Sequence, residues 1–299
     1  MSKRLLLIVN PCSGQKTGKR HLADVLALFC QAGYTPTVFV TTAAGHGTQV
    51  AQQHAAGHDL VVCMGGDGTF NEVVSGVLAA GADTPIGYIP CGSTNDFANS
   101  VGLKKDLLAA ARDIIEGTPH TFDVGLFGGR YFTYIASFGA FTRASYATPQ
   151  NVKNALGHTA YILEGIKDLL AIKPHHLRVE TPEETFEGDY IFGAISNSTS
   201  VAGILTLDPN YVDMNDGLLE LLLIKMPKTP LELDECIRAL QKQNYAASPM
   251  ITFHSAKQMT VYAEEDMPWT LDGEKEDGSQ CITVRNLYSA IRLVVRRPK

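Results

Sequence analysis

The sequence predicts an α/β unit built on a parallel sheet, followed by a mainly antiparallel β half. Three observations carry this. From residue 5 to about 117, short apolar β-rich runs alternate with helical patterns; after "FDVGLF", strand-like segments follow one another with few helices; and "GLFGGRYFTYIASF" holds a Gly-Gly hairpin signal. Continuous apolar strands separated by helices are the pattern of a sheet covered on both faces.

In order, the first half reads as "LLLIV", a helix over 20–32, "TVFV", a helix over 47–56, "LVVCM", a helix over 71–80, "IGYIP" and a helix over 106–117. The second half predicts strands at "HLRVET", "GDYIFGAIS", "GLLELLLI", "ITFHS", "QMTVYAE", "CITVRN" and "AIRLVV", with helices over 158–172 and 230–244. At 299 residues there is chain enough for two buried cores, and the change of rhythm sets domains over 1–125 and 126–289.

Composition narrows the function. With 45% hydrophobic and 19% charged residues the chain is of ordinary globular type. A formal charge of -6 argues against affinity built on phosphate neutralisation along a nucleic acid, so no nucleic-acid partner is expected. The basic clusters at Lys3 and Arg4, Lys16 to Arg20 and Arg292 to Lys299 are read as solvated ends. Six separated cysteines without a CxxC pair suit reduced thiols, mostly in the core, and a cytoplasmic setting. The apolar run Leu5 to Val9 is too short for a signal peptide. No segment reaches the roughly 18 apolar residues of a membrane span.

Ligands of an open parallel sheet sit beyond the carboxyl ends of its strands. There the sequence places "NPCSG", "TTAAGHG", "GGDGTFNE" and "CGSTNDFA". All four are rich in glycine, hydroxyls, amides or carboxylate, the groups that approach phosphate and hold magnesium. Taken singly, each is equally readable as a turn or a helix cap, Asn95 and Asp96 included. "GQKTGKR" has the wrong spacing for a P-loop, "GDGTFN" lacks the third glycine of a dinucleotide fingerprint, and "NDFA" comes without the other protein-kinase motifs.

Together "NPCSG" at 10–14, "GGDGTFNEV" at 65–73, "GSTNDFA" at 92–98, "NDGLLEL" at 215–221 and "LDGE" at 271–274 resemble the diacylglycerol kinase catalytic domain family, most closely its bacterial soluble lipid kinases. GGDGT is shared with NAD kinases and phosphofructokinases; the following NEV and the other blocks carry the likeness over nearly the whole chain. The resemblance implies a phosphofructokinase- or NAD kinase-like α/β nucleotide-binding domain and a β-sandwich domain, with residues 290–299 able to return to the first. It implies magnesium-dependent transfer of the ATP γ-phosphate to a lipid hydroxyl, of diacylglycerol or a related lipid. The membrane is then met transiently from the cytoplasm, and a homodimer is left open. The alternatives are a NAD kinase-like enzyme and an inactive nucleotide-binding regulator.

By the same resemblance the nucleotide set is Asn10, Thr41, Gly65, Gly66, Asp67, Gly68, Thr69, Asn71, Glu72 and Ser93. Asp67 is the expected ligand of the catalytic magnesium, direct or through water, and Asp96 completes its polar surroundings. Glu274 is the expected general base, although "LDGEKEDGS" on its own reads as a hairpin turn. Asp213, Asp216 and the carbonyl of Leu218 are expected to hold a second magnesium away from the chemistry. His175 and His176 are assigned to an exposed loop without a ligand role.

Overall fold

The computed structural model describes residues 2–14, 17–139, 173–201, 205–208, 210–265 and 267–296; the helix expected over 158–172 lies outside them. Contacts divide the chain into two compact units. The first comprises Met1–Val124, Met214–Asp216 and Leu287–Lys299, the second Gly125–Asp213 and Gly217–Asn286.

In the first unit, β1 (Lys3–Val9), β2 (Tyr34–Val40), β3 (Leu60–Gly65) and β4 (Ile86–Pro90) lie parallel in the order β2-β1-β3-β4. Helices α1 (Thr17–Gln31), α2 (His46–His54), α3 (Asp67–Ala79), α4 (Asp96–Ser100) and α5 (Leu107–Glu116) connect them. Leu5, Leu7, Val62 and Met64 pack with Val25 and Phe29 of α1 and Ala111 and Ile114 of α5. Leu6 and Ile8 alternate with them and are buried too, which is why β1 reads as an unbroken apolar run. Each such side chain contributes roughly 2 kcal/mol by leaving water.

The helix expected from 71 begins earlier, at Asp67. Gly66 supplies an extended N-cap (φ -91°, ψ -175°), and Asp67 sits in the first turn, where the helix dipole favours negative charge. Apolar periodicity starts only at Phe70, so it misses that turn. The five-residue α4 left no periodic trace at all.

The second unit is antiparallel. β5 (Thr118–Phe127) enters it and makes a hairpin with β6 (Arg130–Phe132) around Gly128 and Gly129. β7 (Ile135–Gly139), β8 (His175–Glu180) and β9 (Thr185–Ser196) follow, then the short pair β10 (Ser200–Val201) and β11 (Leu205–Thr206), which the sequence reading lacked. Next come β12 (Leu219–Lys225), α6 (Pro230–Gln241), β13 (Ile251–Ala256), β14 (Gln258–Tyr262), β15 (Trp269–Leu271), β16 (Glu274–Glu276) and β17 (Cys281–Val295). The twelve-residue β9 organises the sheet, pairing β8 along its first half, β7 along its second, and β12. Phe127, Phe132, Phe138, Leu221, Val284 and Trp269 fill the core.

Two expectations are corrected here. His175 and His176 lie in β8, paired with Tyr190 and Asp189, because Leu177 and Val179 alternate inward behind them and extend the strand back to Pro174. "CITVRN" and "AIRLVV" form one strand, β17, in which Ser289 adopts φ 50°. Its residues through Asn286 belong to the second unit; those from Leu287 belong to the first, where Leu293 pairs in parallel with Ile86. All six thiols are free: Cys63, Cys91 and Cys236 are buried, and Cys12, Cys30 and Cys281 are exposed.

Candidate active site

Hydrogen bonds tie the loops at the carboxyl edge of the parallel sheet to one another. Asn10, just after β1, donates from Nδ2 to Thr69 Oγ1 (2.9 Å) and accepts from the Cys12 N–H (2.9 Å). Ser13 Oγ accepts from the Gly66 N–H (3.2 Å), and the Cys91 N–H donates to the Gly65 carbonyl (2.6 Å). Asp67 Oδ2 accepts from the N–H of Asp96 (3.0 Å), 29 residues away and opening α4. The run after β1, the run after β3 and the run after β4 are thereby one construction.

The loop after β2 joins it through Glu72, whose two carboxylate oxygens accept the N–H groups of Gly45 (2.8 Å) and Gly47 (2.9 Å). Thr41, which begins that loop, is buried and donates its N–H to the Val9 carbonyl (2.8 Å). Glu72 therefore orients the loop carrying Thr41, with both oxygens already engaged. Asn71 is half-buried and accepts from Ser75 Oγ (3.4 Å), Gly68 is half-buried, and Ser93 is exposed.

Backbone comes unusually close to backbone here. A Cβ on Gly92 would lie 2.8 Å from the Gly66 Cα and 2.7 Å from Asn95 Oδ1, so only glycine fits. Asn95 (φ 53°) closes the turn with both ends of its amide, accepting from the Gly92 N–H (2.9 Å) and donating to the Gly92 carbonyl (2.8 Å). It thus does not cap α4 with its side chain, and α3 has no side-chain cap, whereas the first N–H groups of α2 are taken by Glu72. N-terminal N–H groups of helices attract anions, most of all where no side chain covers them.

Tyr88 OH donates toward Asp67 Oδ1 (3.4 Å) from below the site. Burial, then the Asp67 charge, pushes its phenol well above the usual tyrosine value, so it remains a donor. Burial likewise pushes the Cys63 thiol up, aided by Cys91, Glu72 and Asp67, and raises Cys91 to about 12.

In the second unit, Leu271 pairs with Glu274 across a two-residue turn in which Asp272 (φ 49°) and Gly273 (φ 84°) are both left-handed. The hairpin reading and the Glu274 assignment are thus compatible: Glu274 is the first residue of β16, exposed beside the turn. Its Oε2 accepts from Arg130 Nη2 (2.5 Å). Asp272 is buried and anchors the turn, accepting the N–H groups of Thr133, Tyr134 and Ile135 and the Thr133 hydroxyl. Burial raises its carboxyl above the usual aspartate value, against the pull of those four bonds.

Asp213 and Asp216 are exposed, and the Leu218 carbonyl accepts from Asn286 Nδ2 (2.7 Å). The Met214 carbonyl accepts from the Asp123 N–H (2.9 Å), and Asn215 Nδ2 donates to Thr121 Oγ1 (3.1 Å), which fixes the "MNDG" stretch beside β5. Ser13, Tyr88 and Arg130 are not singled out by the sequence, and the partners of Asn95 and Asp272 are not legible in it: Asn95, an amide in a glycine-rich turn, points to a cap, and Asp272, before a glycine, to a hairpin turn.

Comparison with known proteins agrees with this layout. The model of the diacylglycerol kinase catalytic domain matches residues 4–127, and that of the YegS C-terminal NAD kinase beta sandwich-like domain matches residues 135–295. A diacylglycerol kinase of Bacillus subtilis (strain 168) is 35% identical over 299 residues, covering 99% of this chain and 98% of its own. One from Staphylococcus aureus (strain Newman) is 31% identical over 275 residues, covering 92% and 87%. A crystal structure of a diacylglycerol kinase from Bacillus anthracis str. Sterne superposes with a TM-score of 0.75 at 20% identity, covering 98% of this chain and 97% of that one. At that identity it speaks for the fold alone.

The family match over both units, with relatives matched over nearly the whole chain, makes this an ATP-dependent lipid kinase. The chain belongs to the diacylglycerol kinase family.

Proposed function

We propose that the chain transfers the γ-phosphate of ATP to the hydroxyl of diacylglycerol, the lipid in its relatives' name, and that it uses magnesium to do so. The observation that carries this reading is the joining of Asp67 to Asp96 beside the Gly66 and Gly92 contact, at the uncapped N-terminus of α3. In this reading residues 1–125 serve the nucleotide and 126–289 the lipid.

The donor set suits magnesium. Among the described residues no three His, Cys, Asp or Glu side chains gather as a ligand cage. Magnesium is commonly held by one or two carboxylates together with substrate phosphates. Asp67 is the residue that would hold it, and the ion would supply charge neutralisation on the phosphates. Asn10, Thr41, Gly65, Gly66, Gly68, Thr69, Asn71 and Ser93 then line up nucleotide groups by backbone N–H, amide and hydroxyl contacts, with Asp96 ordering Asp67. Glu72 acts one step back, on the 41–47 loop. Glu274 accepts the proton of the lipid hydroxyl as it attacks phosphorus. Because the transition state of phosphoryl transfer is loose, alignment matters more than base strength. Asp213, Asp216 and the Leu218 carbonyl are assigned the second magnesium as a structural ion.

Among the described residues no helix is long and apolar enough to cross a membrane. A lipid substrate is met at a bilayer, and the contact is taken to be transient, made from the cytoplasm, by a monomer or a homodimer. Incubation with labelled ATP, magnesium and a panel of diacylglycerol, phosphatidylglycerol, sphingoid bases, isoprenoid alcohols and NAD tests the reading. Label in diacylglycerol, abolished by EDTA, is expected; label in NAD alone would overturn it.

A further inference from the structure

We infer that Arg130 is a positioning residue for Glu274: its guanidinium fork grips Glu274 and Glu276 together and holds the Glu274 carboxylate in one direction. The inference rests on the reading of Glu274 as the general base and adds a residue that neither the family match nor the sequence assigns.

The grip is built from three devices in one unit. Residues 133–135, just after β6, are fastened to the β15–β16 turn by the buried Asp272 carboxylate, with bonds of 2.6 Å to the Thr133 N–H, 3.0 Å to that of Tyr134 and 3.1 Å to that of Ile135. Strand β15 continues the attachment by pairing Leu271 with Ala136 and Trp269 with Phe138. Arg130, three residues before Thr133, is thereby delivered to β16. There the period of two in an extended strand turns Glu274 and Glu276 to the same side. Nη2 donates to Glu274 Oε2 (2.5 Å) and Nη1 to Glu276 Oε2 (2.6 Å). Lys275, between them, pairs instead with Asp277 (3.3 Å).

A simple brace for the hairpin needs neither two carboxylates nor a fork. Asp272 already locks the turn with four bonds. Arginine's rigid plane, in contrast, can fix the direction of a carboxylate, which lysine does less well. For a loose transition state the base is wanted in place more than it is wanted strong, so a fixed direction favours catalysis.

The charged and titratable groups around Glu274 are Arg130, Glu276, Lys275 and the buried Asp272, with the Tyr134 hydroxyl 3.6 Å from where a Cβ on Gly273 would stand. Of these, Arg130 is the cation held against Glu274. The decisive measurement is kcat and KM, taken separately, for diacylglycerol phosphorylation in wild type, Arg130→Gln, Arg130→Lys and Glu274→Gln, with melting curves for each.

Arg130→Gln should lower kcat about tenfold, with the KM for ATP and the melting temperature holding steady. Arg130→Lys should recover part of the loss. If Glu274→Gln is inactive while Arg130→Gln keeps the wild-type kcat, or loses activity only as far as it loses stability, Arg130 is only a brace and the inference fails. A fully active Glu274→Gln would instead remove the reading of Glu274 as base. Should Arg130→Gln fail to fold, Arg130→Lys alone decides by its kcat.

Discussion

Helices α3 and α6 are nearly the same length, 13 and 12 residues, and each carries one acid in its first turn, yet their N-termini are finished in opposite ways. At α6 a full capping box closes the end: Thr229 accepts from the Glu232 N–H, Glu232 reaches back to the Thr229 and Lys228 N–H groups, and Pro230 begins the helix. At α3 the N-cap is glycine, no side chain caps it, and Asp67 turns away from its own helix to the Asp96 N–H. One helix satisfies its end from within. The other leaves its end facing outward and uses its acid to tie two loops together. A helix that forgoes about 1 kcal/mol of capping at a glycine-rich edge has its end committed to something else.

The largest expected effect is therefore at Asp67. Asp67→Ala removes both the proposed magnesium ligand and the bond to Asp96, and should lower kcat/KM at least a hundredfold. The chain should still fold, because Asp67 is only half-buried and the core beneath it is formed by Phe70, Val73 and Val74. Near-normal turnover in Asp67→Ala, measured with saturating magnesium, would erase the contrast between the two helices.

Next in size is Gly66→Ser. Its backbone angles suit any residue, and a serine there could cap α3 as Thr229 caps α6. Its Cβ would stand 3.3 Å from the Gly92 Cα, tight but tolerable with a small shift. Melting temperature should barely change, while the KM for ATP should rise about tenfold as the new hydroxyl covers the N–H groups proposed for phosphate. An unchanged KM would mean that the open end of α3 is incidental.

Why these two ends could be told apart only in coordinates is a matter of range. Thr229 and Glu232 are three residues apart, so "TPLE" displays its capping box locally. Asp67 meets Asp96 across 29 residues and Arg130 meets Glu274 across 144, and side-chain pairings at such separations leave no period in the chain. What was legible was whatever repeats or clusters nearby: the buried runs of β1, β3 and β4, the alternation in β17, the glycines after each parallel strand. Asp272 was legible as a turn residue, but not as the buried anchor of residues 133–135, because the Asp-Gly signal fixes backbone shape and says nothing of what the carboxylate meets.

Tyr88 sharpens the same contrast on a smaller scale. Tyr88→Phe removes a long hydrogen bond to Asp67 and should lower kcat only a few-fold, at about 1 kcal/mol in stability. Because burial and then Asp67 raise the phenol's pKa, its contribution to stability is complete below about 10, the usual value, and is lost as pH rises through the higher folded value. The stability gap between wild type and Tyr88→Phe should thus narrow above pH ~10 in denaturation curves. A gap that widened there would mean that the phenol is ionised in the folded protein.

The smallest effect belongs to the finished end. Thr229→Ala opens the capping box of α6 and should reduce stability by about 1 kcal/mol, a fall in melting temperature of about 3 °C for a chain of this size. Neither kcat nor the KM for ATP should change, since Thr229 serves only the first turn of α6, and Glu232 retains the Lys228 N–H as a donor. If Thr229→Ala instead weakened ATP binding as much as Gly66→Ser, capping would be acting through general stability. The exposed end of α3 would then have no special claim on phosphate.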